Sequence, residues 1–449
     1  MQSKRIVIAT AGSQGDIEPF SALGHGLRAR GHAVHVSSHA FHRAHFEQHG
    51  FEFHGHTASM TQTRLTEVLE EMVEQGPMDQ LQTLMQRFFL CEGPGQLEHQ
   101  LNVMSGADLV IVHWLDAIGQ GAAEQLGIPW VSVILTPGSL PSASRPPGPL
   151  PHLGRRWARF WWHAADQMVE PVRVVIDQHL RDLGLRRANR RLLAPPSPYL
   201  NLVAASPSLL NTPSDWPSTV RITGDWAPIG ADAGSGFPCR AQLGRGLSPG
   251  LSRGDTAASS LSAFSPALDR FVRQHPNPVV IAFGSLGGVR RQETLALART
   301  VAADAATPVI LTSPDLDVSG GPENLFVTGY VPYAALFGHA SCVVHHAGAG
   351  TSMLVVRAGV PSFPVPHLID NAYWADRLHR RGVATKPVPR RHLTATRLRE
   401  GIREARTRAS LRTQAAALSA LVQQEDGVAY AVKLVEHFLE SSTANKTPV

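Results

Sequence analysis

Two series of short apolar runs, each run followed by a helical stretch, constrain the fold more than any other feature of this chain. In the first half, "RIVIATAG" (5–12), "AVHVSSH" (33–39), "ADLVIVHW" (107–114), "IPWVSVIL" (128–135), "YLNLVAAS" (199–206) and "TVRITGDW" (219–226) read as strands. "NPVVIAFGS" (277–285), "TPVILTS" (307–313), "LFVTGYV" (325–331), "SCVVHHA" (341–347) and "VPSFPVP" (360–366) repeat the plan. Helical patterns fall at 17–30, over most of 61–104, near 291–305, 333–340, 350–358 and 370–382, and over 394–442 with a break at Asp426-Gly427. Strands alternating with helices make parallel sheets of strand-helix-strand units. The expected class is therefore α/β, with two doubly wound, Rossmann-like parallel-sheet domains.

A length of 449 residues fits two cores better than one. The expected division is an N-terminal domain over 1–226, a Gly/Ser-rich linker over 227–275, a C-terminal domain over 276–425, and a final helix over 426–449 that packs back on the N-terminal domain. The stretch 227–265 is the low-complexity part of that linker. Domains of this kind are expected to face each other across a cleft, with ligands at the carboxyl ends of the strands.

Apolar residues make up 43% of the chain and charged residues 17%, a globular composition. The net charge of +5 is scattered, with no basic stripe or nucleic-acid module. Cys91, Cys239 and Cys342 are too few and too far apart for a disulfide framework or a cysteine metal knot; Cys342 reads as a buried thiol. No signal region or membrane-length apolar run is present, so the expected location is cytoplasmic.

Chemistry concentrates at strand ends. After "SCVVHHA" comes Ala347-Gly348-Ala349-Gly350-Thr351, small residues opening a helix. They let backbone N–H groups approach an anion at the positive end of the helix, and His346 can add a hydrogen bond. A second glycine turn, Phe283-Gly284-Ser285-Leu286-Gly287-Gly288, offers a hydroxyl at another strand end. His345 reads as structural. In the first half, Gly12, Ser13, Gly15 and Asp16 join strand to helix. A nicotinamide site would want the full G-x-G-x-x-G and an acid ending the second strand; that strand ends Ser37-Ser38-His39, and the reading fails. By itself Asp16 reads as the cap of a helix starting near Ile17. Asp315-Leu316-Asp317 reads as loop solvation, not a metal site, and no metal or cofactor is expected.

The stretch "HHAGAGTSMLVVRAGVPSFPVPHLIDNAYWADRL" (345–378) resembles the donor-binding signature of the family 1 glycosyltransferases, of GT-B fold. The likeness is greatest to bacterial natural-product, sterol and rhamnolipid transferases. The resemblance implies that His346, Gly348, Ala349, Gly350 and Thr351 contact the diphosphate of a UDP- or TDP-sugar, with Gly284 and Ser285 on its other side. It implies that Asp370 and Asn371 bond the sugar hydroxyls, and that Tyr330 stacks on the base while Val331 backbone groups read its edge. Ser13 and Gly15 are grouped with the donor site. Asp16 takes the position of the family's general base, so an inverting transfer of a hexose to an acceptor hydroxyl is expected. Two departures stand out: Ala347 replaces a glycine and Asn371 replaces a glutamine.

His113, ending "LVIVHW", is a second candidate base or partner, and Asp116 lies near it. In "GRRWARFWWHAADQMVEPVRVV" (154–175), Trp157 and Trp161 share a helix face with Phe160. Packing ranks first for them, an acceptor wall for a hydrophobic natural product, sterol or lipid second, and weak membrane-surface contact third. The alternatives to a transferase are a sugar-nucleotide epimerase of related architecture and a non-catalytic nucleotide-sugar binder. Oligomeric state is open.

Overall fold

A computed structural model of the protein describes residues 2–56, 60–91, 93–148, 150, 153–186, 191–226, 264–313, 316 and 321–444. The chain divides into two compact units, Met1–Pro228 with Asp426–Val449, and Ile229–Glu425. Cys239, Asp315, Asp317 and nearly all of the stretch 227–265 lie outside the described residues.

The first unit holds a seven-stranded sheet of β1 (Arg5–Ala9), β2 (Ala33–His39), β3 (Glu52–His56), β4 (Leu109–His113), β5 (Trp130–Ile134), β6 (Leu200–Val203) and β7 (Val220–Ile222), in the order β3-β2-β1-β4-β5-β6-β7. Every pairing is parallel; Ile6 lies opposite both Val34 and Leu109. β4 and β5 are buried at every residue, as strands covered by helices on both faces must be. The second unit holds β8 (Val279–Ala282), β9 (Val309–Thr312), β10 (Leu325–Thr328), β11 (Cys342–His345) and β12 (Ser362–Pro364), ordered β10-β9-β8-β11-β12 and again all parallel.

In both sheets the first strand lies between the second and the fourth. The winding reverses between β1 and β4 in one unit and between β8 and β11 in the other. At such a reversal the loops diverge and open a crevice at the carboxyl ends of the strands. Those ends carry Gly12–Asp16 and His113 in the first unit, and Gly284–Ser285 and His345–Thr351 in the second.

Three local readings change. The first helix runs Gln14–Ala29, three residues earlier than expected, because Ser13 caps it. The strand β3 was not expected: "EFHGH" carries two histidines and a glutamate, so its apolar alternation is faint. The C-terminal tail breaks at Arg408 as well as near Asp426, giving helices Ala395–Thr407, Ala409–Val422 and Gly427–Ala444. The last of these packs on the Gln14–Ala29 helix, where a Cβ on Gly26 would come within 2.6 Å of Val428 Cγ1 and Arg30 pairs with Glu436 at 3.0 Å. Cys342 is fully buried, which pushes its thiol up to about 12. Among the described residues no helix is long and apolar enough to cross a membrane.

Candidate active site

In the second unit the reversal between β8 and β11 is built around one imidazole. His346 follows β11 directly and is buried, 8% exposed. A Cβ on Gly348 would meet its Nε2 at 2.4 Å, and a Cβ on Gly284 would meet its Cε1 at 3.0 Å. The ring thus lies between two glycines on neighbouring strand ends, and any side chain at Gly348 would displace it. Burial pushes His346 down to about 4, opposed only by the Ala282 backbone. It is neutral near pH 7 and offers an N–H rather than a charge. Positive potential at this rim comes instead from the Ala349–Ala358 helix, whose first residue follows the glycine cap Gly348. First-turn N–H groups have no intrahelical acceptor, and Gly348 has no side chain to satisfy them. Ala349, Gly350 and Thr351 are half-buried at this helix start. Arg290 and Arg390 add cationic field, enough to depress His367 further than burial alone.

The loops at this rim are held by groups that sequence patterns did not single out. Tyr333 is half-buried against the core of its unit; its hydroxyl oxygen accepts the Gly284 N–H at 3.2 Å and lies 2.9 Å from the Thr312 hydroxyl. It fixes the turn that presents Ser285, itself half-buried. His367 donates Nδ1–H to the Val365 carbonyl at 2.7 Å, with its ring 4.8 Å from Phe283 and 6.5 Å from His346. Ala347 adopts φ +64°, a left-handed conformation that costs an L-residue about 1 kcal/mol or more. The geometry explains why a glycine is natural there.

Farther along the rim, Asp370 and Asn371 separate in role. Asn371 is buried, 2% exposed; its Oδ1 accepts the Leu368 N–H at 3.1 Å and its side-chain amide donates to Asp370 Oδ2 at 3.0 Å. Its side chain is therefore turned back on the helix start while Asp370 stays half-exposed. Tyr330, after β10, is 83% exposed, which excludes core packing; Val331 is buried in the core of its unit.

In the first unit Ser13 caps the helix and Asp16 stands at its third position. One carboxylate oxygen of Asp16, Oδ2, accepts both the Ser13 N–H (2.7 Å) and the Ser13 hydroxyl (3.0 Å). Oδ1 takes no hydrogen bond among the described residues. Desolvation raises Asp16 above the usual carboxylate range, partly countered by the Ser13 bonds. Gly12, at φ +132°, passes so close that a Cβ there would lie 2.4 Å from Asp16 Oδ2. Its carbonyl accepts Nε2–H from buried His42 at 2.9 Å. Gly15 is exposed and its missing Cβ would meet open space apart from Ser13 Oγ at 3.9 Å.

His113 is sealed inside the unit. Its ring lies 5.2 Å from Phe89 and 6.0 Å from Phe20, and burial pushes it down to about 3. Its Nδ1 accepts the Leu115 N–H at 3.3 Å. Asp116 caps the Ala117–Gln125 helix through Gly119 N–H at 2.9 Å, and burial raises it to about 6. On the Arg155–Met168 helix, packing is done by Ala158 and Trp162, not by the tryptophan pair expected to share it. Trp157 and Phe160 are 52% and 54% exposed, and Trp161 is half-buried with its ring 5.3 Å from Phe160.

Two doubly wound domains with glycine-rich strand ends of this kind define a GT-B fold, and the comparisons agree. Residues 6–138 match the glycosyltransferase family 28 N-terminal domain, and residues 295–426 match the C-terminal domain of erythromycin biosynthesis protein CIII-like proteins. The chain is 30% identical to O-mycaminosyltylonolide 6-deoxyallosyltransferase of Streptomyces fradiae, over 99% of this chain and 100% of that one. It is 37% identical to vancomycin aglycone glucosyltransferase of Amycolatopsis orientalis over 28% of this chain and 31% of that one. Among solved structures, the calicheamicin glycosyltransferase CalG4 superposes with TM-score 0.67 at 17% identity, covering 98% of this chain and 99% of that one. VinC in complex with DTDP gives 0.64 at 19%, covering 97% and 100%. The chain belongs to the family 1 glycosyltransferases. It is a sugar-nucleotide-dependent glycosyltransferase of the natural-product type.

Proposed function

We propose that the enzyme moves a hexose, with inversion, from a TDP- or UDP-sugar to a hydroxyl of an apolar small molecule. The observation that carries this reading is the His346 ring fixed between Gly284 and Gly348, beside a helix start with no side-chain cap. That arrangement suits a diphosphate: neutral N–H donors and a helix dipole face the anion. Ser285 supplies a hydroxyl to the same group. Tyr330 stacks on the base, and Asp370 holds a sugar hydroxyl while Asn371 orients its carboxylate.

Asp16 is the general base. The acceptor hydroxyl gives its proton to Oδ1 as its oxygen bonds to the anomeric carbon; the bond from that carbon to the diphosphate oxygen breaks, and charge collects on the leaving group. The raised pKa of Asp16 suits a base working near neutrality better than an exposed aspartate would. His113, Ser13 and Gly15 serve the loop geometry around it. No metal is needed for these steps, because the helix start stabilises the departing charge. Exposed Trp157 and Phe160, with Trp161, supply apolar surface for the acceptor.

TDP is the first donor nucleotide to test, since the structural neighbour VinC is solved with DTDP. Calorimetry with TDP and UDP, followed by mass spectrometry of a panel of polyketide, sterol and lipid alcohols with TDP- and UDP-sugars, tests the proposal. Transfer to at least one alcohol, with full rate in excess chelator, is expected. Conversion of the donor to an isomer without any acceptor, or donor binding with no turnover over the whole panel, would replace it.

A further inference from the structure

The strand that escaped sequence patterning carries a second constellation. His35 lies on β2 directly opposite Glu52, the first residue of β3, and His54 follows two residues along. A period of two puts Glu52 and His54 on one face of the sheet. His35 Nδ1 is 3.1 Å from Glu52 Oε1, His54 Nε2 is 3.2 Å from the same oxygen, and the two ring nitrogens are 3.4 Å apart. The rings are stacked at 5.7 Å.

Protons cannot satisfy this triangle. With Glu52 ionised, each ring nitrogen carries at most one hydrogen, so three close contacts share at most two protons. A metal ion uses all three lone pairs at once. Bonds of about 2.0–2.1 Å at tetrahedral angles place ligand atoms about 3.3–3.4 Å apart, close to the three edges observed. Two imidazoles and a carboxylate are also the donor set that borderline divalent ions prefer.

We propose that His35 Nδ1, Glu52 Oε1 and His54 Nε2 form a binding site for a zinc-class divalent cation, with water in the fourth position. The ion ties β3, the edge strand of the sheet, to β2. Edge strands expose unpaired backbone and need such protection. The site lies toward the amino ends of both strands, at the opposite end of the sheet from Gly12 and Asp16, so it stabilises the unit and takes no part in turnover. Arg5, whose guanidinium is held by the Val103 and Ser105 carbonyls, adds a cationic field at His54 that opposes a bound cation.

The test is calorimetric titration of the chelator-treated full chain with zinc chloride, alongside thermal melting with and without zinc. The chain has 22 histidines, so the decisive quantity is what the variants lose. Wild type should bind one equivalent that His54→Ala binds roughly tenfold or more weakly, and zinc should raise the Tm of wild type by more than that of the variant. Glu52→Gln, at a largely exposed position, repeats the comparison should His54→Ala fold poorly. Equal stoichiometry, affinity and Tm shift in wild type and variants would overturn the site, whatever the result at the donor site.

Discussion

His113 and His345 hold the same post in the two units: each ends the fourth strand of its sheet, and each accepts on Nδ1, at 3.3 Å, the backbone N–H two residues on. Both are buried and pushed down to about 3. Each is a neutral acceptor that turns the chain away from its strand, a structural duty carried out twice.

Replacing His113 by Ala should therefore act on stability first. Loss of a buried acceptor and its packing predicts about 2 kcal/mol by urea denaturation. The acid limb of the pH–rate profile should keep its midpoint. A limb that vanished in His113→Ala would make His113 the base.

Asp16 should set that limb. Its raised pKa means activity falls as pH drops through a value above the ordinary carboxylate range, because the base must be ionised. Asp16→Asn keeps an oxygen for Ser13 and should reduce transfer roughly 100-fold or more with donor affinity intact. Ser13→Ala removes a bond that favours the ionised form, so its limb should move to still higher pH; a shift downward would contradict the assignment.

How much of this was legible in the sequence depends on what each residue's signal was. The sheets could be read because their strands are apolar at nearly every position, as "LVIVH" shows. β3 could not, since His54 and Glu52 break the alternation. The glycines around His346 were visible as a motif, but that they wedge one ring is a fact of distances. Tyr333 and Asn371 act through bonds to a loop elsewhere in the fold or to a neighbouring carboxylate, and no local pattern announces such a duty. The Trp157 face looked like packing because helix periodicity shows which residues share a face, not whether that face is covered.

Ala347→Gly should stabilise the protein by about 1 kcal/mol in urea denaturation, since φ +64° suits glycine and strains alanine. An unchanged or lower midpoint would show the loop relaxes that strain.

Stability should fall on mild acidification. His39, His113, His345 and His367 are pushed to about 3, and His42 and His346 to about 4. Their folded values lie below the unfolded 6.5, so the unfolded chain binds more protons between those limits. Their contribution is complete above pH 6.5 and declines as pH falls, on the order of 1 kcal/mol per group per pH unit. Asp116, raised to about 6, works the other way but is outnumbered. The Tm should drop from pH 7 to pH 5; a Tm that rose would mean these histidines are solvated.

The most direct measurement is calorimetric titration of TDP into wild type and Gly348→Ala. The added methyl would come within 2.4 Å of His346 Nε2 and displace the ring without removing any ligand group. Affinity at least roughly tenfold weaker in the variant, with the fold intact by circular dichroism, is predicted; one good hydrogen bond to a charged group is worth about that much. Equal affinity would mean that the diphosphate is not held at the reversal between β8 and β11.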